Sequence, residues 1–294
     1  MTPTSKTIIF FGTDSFSEAA LRHLIQAGYP VGAVVTKPDA HRGRGHKLMP
    51  PEVKILALQH DIPVWQPARL DEIIEPIKAF GDTIGVLSSF GRLIPESILQ
   101  LFTPGIINIH PSLLPAYRGP TPIETAIANG DEKTGVSLML LVKEMDAGPL
   151  YAQADYPLTG NETQPELYEA LADLGGSLLM QHLPHIISGE LTPRDQLGPV
   201  SYSRLLHKSD ALADPGMYTA EQLARKVRAH LSYPKTKLTL LGQLVTITAA
   251  HSSPERTSIL DVTCSDGHFL VIDELVGPSG RRMNGAAFLN GYHA

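Results

Sequence analysis

Three runs in succession decide the fold: Thr83-Ile-Gly-Val-Leu87, Pro95-Glu-Ser-Ile-Leu-Gln-Leu-Phe102 and Gly105-Ile-Ile-Asn-Ile109. The first and third are short, apolar on both faces and bounded by Gly, Pro and Ser, so each predicts a strand buried on both sides. The middle run carries apolar residues at helical spacing and predicts a helix. A strand-helix-strand unit of this kind closes a parallel strand pair with the helix packed on one face. The same alternation runs back to the N-terminus. Strands are expected at Thr7–Phe11, Val31–Val35 and Ile62–Trp65. Helices are expected after Ser17 (through Ala19, Leu21, Leu24 and Ile25 to a stop at Gly28), over Pro51–His60 and over Asp71–Ala79. The fold class is therefore α/β: a Rossmann-like, mainly parallel sheet covered by helices, with ligand sites beyond the carboxyl ends of its strands.

Further along, Val136–Val142 reads as a strand. Thr163 and Glu166 have capping-box spacing before a long apolar-periodic stretch to Ile187. A polar stretch with Gly and Pro breakers, from Ser188 to Pro199, reads as the core of a linker. Beyond it the pattern changes to one helix, Ala220–His230, and short alternating runs at Leu238–Leu241, Leu244–Thr248, Ile259–Thr263 and Phe269–Ile272. Ser265-Asp-Gly267 is a hairpin turn between the last two. The expected division is a first domain over 1–188, a linker over 189–205 and a small β-rich domain over 206–294.

The chain has 294 residues, 43% of them hydrophobic, enough for a sizeable core. The single Cys264 excludes an intramolecular disulfide and any cysteine-rich metal site. His182 and His185 lack an acidic or cysteine partner nearby, so they read as a solvated helix end, and no metal is expected. No apolar run approaches the roughly 20 residues needed to span a bilayer, and the first residues lack the pattern of a signal peptide, so a cytoplasmic protein is expected. Net charge is −6, but the charge is unevenly spread. Lys37–Lys54 holds five basic residues against two acids, and Ser201–Ala250 holds seven against three. The first strand ends Phe10-Phe-Gly12-Thr-Asp-Ser and lacks the spaced glycines of a dinucleotide site, which argues against NAD or FAD.

The candidate chemistry sits at the end of the decisive strand. Asn108 and His110 are two apart, so on an extended chain they point to one face at the mouth of the sheet. An amide that donates to an oxyanion, beside an imidazole that moves a proton, suits acyl or formyl transfer to an amine. Asp146, in Glu144-Met-Asp146-Ala-Gly148, also follows a strand end and can orient that imidazole.

Taken together, Asn108-Ile-His110-Pro-Ser-Leu-Leu-Pro115, the following Tyr-Arg118-Gly119 and Met-Asp146-Ala-Gly148 resemble the folate-dependent formyltransferase family, over the chain from about Ile8 to Tyr156. The resemblance implies Asn108, His110 and Asp146 as a catalytic trio and 10-formyltetrahydrofolate as cosubstrate. It implies a pterin pocket walled by Phe90, Gly91, Arg92, Leu93 and Ile94, by Ser112, Leu113, Leu114 and Pro115, and by Val142, Lys143 and Glu144. Thr36-Lys-Pro-Asp-Ala-His-Arg42-Gly-Arg44-Gly-His-Lys47, a Gly-spaced run of cations after a strand, suits phosphates and bases. It resembles the loop with which the tRNA-acting members grip an acceptor end. That implies contacts from Arg42, Arg44 and Lys47, with Thr13 and Phe16 near the aminoacyl adenosine and methionyl initiator tRNA as partner. The second domain resembles the family's C-terminal OB-like barrel. It departs from the pattern at Tyr233-Pro234-Lys235-Thr-Lys237, where a Pro-Trp-Pro-like stretch is usual, and at Asp214-Pro215, where Asp-Trp is usual. A monomer is expected. The rival readings are a formyltransferase acting on a small amine, such as an amino sugar or nucleotide, and a catalytically silent RNA-binding protein. The basic loop and β-rich tail weigh against the first, and the intact trio against the second.

Overall fold

The structure, a computed structural model, describes residues 6–42 and 47–292. It divides into two compact units. The first comprises Met1–Pro120, Thr134–Tyr156 and Tyr168–Tyr202; the second comprises Thr121–Lys133, Pro157–Leu167 and Ser203–Ala294.

The first unit is built on a seven-stranded sheet. In chain order its elements are β1 (Thr7–Gly12), α1 (Ser15–Gln26), β2 (Val31–Val35), a hairpin of β3 (Ala40–Arg42) and β4 (Lys47–Met49), α2 (Glu52–Gln59), β5 (Val64–Trp65), α3 (Ile74–Lys78), β6 (Thr83–Ser88), α4 (Glu96–Leu99) and β7 (Ile106–His110). After α5 (Pro122–Asn129) come β8 (Lys133–Leu140), β9 (Leu150–Pro157) and α6 (Gln164–Ser188). The order across the sheet is β5-β2-β1-β6-β7-β8-β9. The first five strands are mutually parallel, and β8 runs antiparallel to β7. The strand order turns between β1 and β6, and open α/β sheets bind ligands beyond the carboxyl ends of the strands at such a switch point.

The decisive strands are as apolar in space as in sequence. Ile8, Ile9, Phe10, Phe11, Ile84, Val86 and Ile107 are fully buried. Each such side chain contributes roughly 1.5–3 kcal/mol on leaving water. Phe11 meets Phe90 and Phe102 edge to face at 5.6 and 5.9 Å, tying β1 to the chain beyond β6 and α4. Asp14 caps α1 and shares a capping box with Ser17, which fixes the chain's exit from β1.

The second unit packs α7 (Ala220–Ala229) on an antiparallel sheet of β10 (Lys237–Leu240), β11 (Gln243–Ser253), β12 (Val262–Thr263), β13 (Phe269–Val276) and β14 (Arg282–Asn284), followed by α8 (Gly285–Tyr292). Its core joins Leu223, Ala224 and Val227 of α7 to Val245, Ile247, Leu270, Leu275 and Phe288. Register breaks between Ile247 and Ala250 bend β11 against β13 and help curl this small β domain. Thr219 and Gln222 form the capping box that starts α7. Helix α5 belongs to this unit, and Arg225 of α7 donates to the Asn129 carbonyl at its end (3.1 Å).

Several elements differ from the sequence expectation. The helices expected over 71–79 and 95–102 shrink to Ile74–Lys78, after a 3-10 turn at Leu70–Ile73, and to Glu96–Leu99. The third strand, expected from Ile62, begins at Val64. The Ser188–Pro199 stretch is not free. Leu150 and Arg194 exchange both backbone hydrogen bonds (2.7 and 2.8 Å), and Ser201 bonds Pro115 and Arg118, so the strap from Arg194 to Tyr202 lies on the first unit.

Candidate active site

All of Ile106–His110 is buried, and the two polar residues of β7 stand at its carboxyl end. Asn108 is 6% exposed. Among the described residues, no hydrogen bond reaches its side chain. The residue keeps a little exposed surface, so a bound group can take the hydrogen bond that its amide offers. His110 is held on two sides. Its Nε2–H donates to the Tyr117 carbonyl (3.0 Å), which leaves Nδ1 as the free ring nitrogen. Nδ1 lies 3.9 Å from Oδ2 of Asp146. That gap is too long for a hydrogen bond, and it can close into one only when Nδ1 has taken up a proton, because the carboxylate can only accept.

Asp146 occupies the loop between β8 and β9 with a left-handed backbone (φ 48°), a conformation Asp tolerates better than most residues. Its Oδ2 accepts from the Gly119 N–H (2.7 Å). The neighbouring Gly148 leaves no room for a side chain: an added Cβ would stand 1.8 Å from the Leu140 carbonyl oxygen. Beneath the site, Ser137 of β8 donates to the Ser112 carbonyl (2.6 Å) and accepts from Leu114 N–H (3.1 Å) and Gln153 Nε2 (2.8 Å). These bonds fix the turn that follows His110.

The other anticipated residues fall into three groups. Phe90, Ser112, Leu114, Pro115, Thr13 and Phe16 are buried. Ser112 Oγ donates to the Ala116 carbonyl, and Thr13 Oγ1 donates to the Phe90 carbonyl, so both hydroxyls join loops to one another. Phe16 packs edge to face on Tyr168 at 5.3 Å. Burial and then the Asp14 carboxylate push the Tyr168 phenol well above its ordinary range. On the second group, Arg92 donates to the Pro67 and Ala68 carbonyls (2.8 and 3.0 Å), while Gly91, with φ 66°, turns the chain and Ile94 packs on the core. The third group faces water. Leu93 is 83% and Met145 56% exposed; Lys143 and Glu144 are exposed, and Leu113 and Val142 half-buried.

For the basic loop, β3 and β4 pair Arg42 with Lys47, so the loop rises from a hairpin. Its stem is anchored where Lys54 binds both Asp39 oxygens (2.8 and 2.9 Å) and Gln66 bonds Asp39 and the Lys37 carbonyl. Lys47 is exposed; Arg44 and the Arg42 side chain lie outside the described residues. The basic count in the second unit shrinks in space. Arg204 is paired with Asp210, Arg225 and Arg228 with Glu221, and Lys226 is buried over the Tyr218 ring at 5.4 Å. Lys208 and Lys235 are exposed. Among the described residues no group of three or more His, Cys, Asp or Glu can hold a metal, and no helix is long and apolar enough to cross a membrane.

The Formyl transferase family model matches residues 5–183, a span that contains every residue of the trio. Methionyl-tRNA formyltransferase of Pelobacter propionicus is 37% identical over 98% of this chain and 94% of its own length. That of Chloroflexus aggregans is 38% identical over 98% and 97%. The chain belongs to the methionyl-tRNA formyltransferase family. The fold is shared more widely. An N-formyltransferase from Helicobacter canadensis, solved with folinic acid and dTDP-3-aminofucose, superposes with a TM-score of 0.70 at 19% identity, over 92% of this chain and 99% of that one. HypX from Aquifex aeolicus, solved with tetrahydrofolic acid, gives 0.68 at 17% identity over 97% of this chain, which spans about half (47%) of HypX.

Two parts of the site carry no sequence signal of their own. Tyr117 holds His110 through a backbone carbonyl, which any residue type supplies. Gln196 lies in the polar strap and donates to the carbonyls of Asp146 and Gly148 (both 2.8 Å). A lone Gln among breakers has no periodicity to mark it.

Proposed function

We propose that this chain transfers the formyl group of 10-formyltetrahydrofolate to the α-amine of methionyl initiator tRNA. The observation that carries the reading is the nearly buried Asn108 amide, which has no side-chain hydrogen bond among the described residues and stands two residues before a histidine whose Nδ1 faces Asp146. An amine attacking a formyl carbon builds negative charge on the formyl oxygen and must shed a proton. Asn108 donates to that oxygen. Nδ1 of His110 handles the amine proton, and Asp146 orients the ring and stabilises it while it carries charge.

The loops on either side of β7 suit a folate head group. They follow β6 and β8, and each leaves one large apolar side chain in water, Leu93 and Met145, beside backbone polar groups. Such a mix suits a flat ring with a hydrogen-bonding edge. When bound, the folate supplies an activated formyl carbon. Phe90–Ile94, Ser112–Pro115 and Val142–Glu144 are the segments that shape the pocket. Within it the buried Phe90, Ser112 and Leu114 support the wall, and Leu93 and the Val142–Glu144 loop face the ligand.

Three features support tRNA as the amine donor. The curated relatives bearing that activity in their names match past residue 183, through the β domain, over nearly their whole length. The Arg42, Arg44 and Lys47 loop offers cations for an acceptor end. Thr13 and Phe16 stiffen the loop after β1 that borders the aminoacyl end. The first unit carries the chemistry and the second binds RNA, and the enzyme acts as a cytoplasmic monomer. The test is to incubate the protein with 10-formyltetrahydrofolate and, separately, charged initiator tRNA or a nucleotide-linked amino sugar. Formylmethionyl-tRNA alone is the expected product; formyl sugar alone, or no product, overturns the reading.

A further inference from the structure

Gln196 sits where the two halves of the His110 clamp meet. Its side-chain amide is fully engaged. The two N–H groups donate to the carbonyls of Asp146 and Gly148, one on each side of Ala147 (2.8 Å each). The oxygen accepts from Nε and Nη2 of Arg118 (3.1 and 2.7 Å). This pattern fixes the amide orientation, since exchanging oxygen and nitrogen would set oxygen against two carbonyls and nitrogen against a guanidinium. Arg118 is flanked by Tyr117, whose carbonyl takes the His110 Nε2–H, and Gly119, whose N–H binds Asp146 Oδ2. The route from His110 through Tyr117, Arg118, Gln196 and Asp146 is therefore one chain of bonded contacts, open only at the 3.9 Å gap between Asp146 and His110, with Gln196 joining its two loops.

Gln196 is itself held from both ends. On one side Arg194 pairs with Leu150. On the other, Ser201 accepts from Tyr117 N–H (3.0 Å) through its hydroxyl and from Arg118 N–H (2.9 Å) through its carbonyl. The left-handed backbone of Asp146 makes the turn that these contacts hold in place.

We propose that Gln196 is a positioning residue that sets the separation of Asp146 from Nδ1 of His110 and so governs the rate of formyl transfer. The inference rests on the trio acting as described under Proposed function. Misplacing a reacting group by about 1 Å costs on the order of 100-fold, so Gln196→Ala should lower kcat by roughly 10–100-fold. KM for tRNA and for the folate should each stay within about twofold, because the Gln196 amide spends its donors and acceptor on Asp146, Gly148 and Arg118 and acts through them.

A double-mutant cycle provides the test. If Gln196 works through Asp146, Gln196→Ala should lower turnover no further in an Asp146→Ala background, and should keep its full effect in an Asn108→Ala background. Equal, additive losses in both backgrounds overturn the proposal, as does near-normal kcat in Gln196→Ala. Should that variant fail to fold, Gln196→Glu retains the size and the acceptor for Arg118 but loses both donated bonds, and carries the same cycle. Near-normal turnover in Asp146→Ala alone is a different result: it would sink the catalytic reading itself, whatever Gln196 does.

Discussion

Nδ1 of His110 faces Oδ2 of Asp146 across 3.9 Å, while the opposite ring nitrogen is already committed to the Tyr117 carbonyl. On the proposed mechanism Nδ1 is the nitrogen that handles the amine proton. His110→Ala should cut turnover by roughly 10²–10⁴-fold, the usual range for losing a general acid-base group. Asp146→Ala should also be slow. Each variant also takes a hydrogen bond from one backbone group, the Tyr117 carbonyl or the Gly119 N–H, so a stability loss of about 1–3 kcal/mol is expected while the fold persists, and turnover is compared below the melting transition. A His110→Ala enzyme with more than a tenth of normal kcat would rule out the proton role.

Gly148 offers a test of the loop. A Cβ there meets the Leu140 backbone oxygen at 1.8 Å, and backbone has no rotamer by which to yield. Gly148→Ala should cost about 1–3 kcal/mol of stability, as overpacking does elsewhere, and should displace the turn that carries Asp146. Thermal unfolding together with steady-state kinetics reads both effects. Unchanged melting and unchanged kcat would mean the turn relaxes freely.

His230 predicts acid sensitivity of the second unit. It is buried, its Nδ1 has no hydrogen-bond partner among the described residues, and burial followed by the nearby Lys226 charge holds the imidazole down at about 4 against an ordinary 6.5. The folded state then binds fewer protons than the unfolded state between those values, so this contribution is complete above the upper value and lost as pH falls toward the lower. At 1.36 kcal/mol per unit it amounts to roughly 3 kcal/mol. Urea unfolding at neutral pH and near pH ~4.5 should show the loss in wild type and a smaller one in His230→Asn. Identical pH slopes in the two proteins would contradict the assignment.

The strands were legible because they are apolar on both faces, a pattern that needs no tertiary information. So was the pairing of Asn108 with His110, since strand geometry sends alternate residues to one side. What escaped lies in elements made by context. β9, Leu150-Tyr-Ala-Gln-Ala-Asp-Tyr-Pro157, mixes small, aromatic and polar side chains and holds no apolar run to mark it. The β3–β4 hairpin has only three residues per strand. Thr13 and Phe16 lie on the anticipated loop, but which of its side chains turn inward depends on Tyr168, far along the chain. Gln196 sits in a run of Gly and Pro that reads as linker, and its contacts are 48 and 50 residues away in sequence.

The basic loop gives a salt-dependent prediction. If Arg42 and Lys47 contact phosphates, replacing either with Ala should reduce the log–log slope of tRNA affinity against salt by about 0.7–0.9. If Arg44 reads a base, Arg44→Ala should cost roughly 1–3 kcal/mol with little change in slope. Filter binding across a salt series separates the two. Equal formylation of charged tRNA after changing all three to Ala would reduce the loop to a solvated surface.

The most direct test is the single-turnover rate of formyl transfer from 10-formyltetrahydrofolate to methionyl initiator tRNA, measured for wild type and Asn108→Ala with both substrates saturating. Saturation removes binding differences, and the lone amide at the end of β7 is the only group changed. Loss of one oxyanion donor predicts a rate lower by roughly 10²–10³-fold in a variant that melts like wild type. A well-folded Asn108→Ala protein that transfers formyl at the wild-type rate would contradict the account.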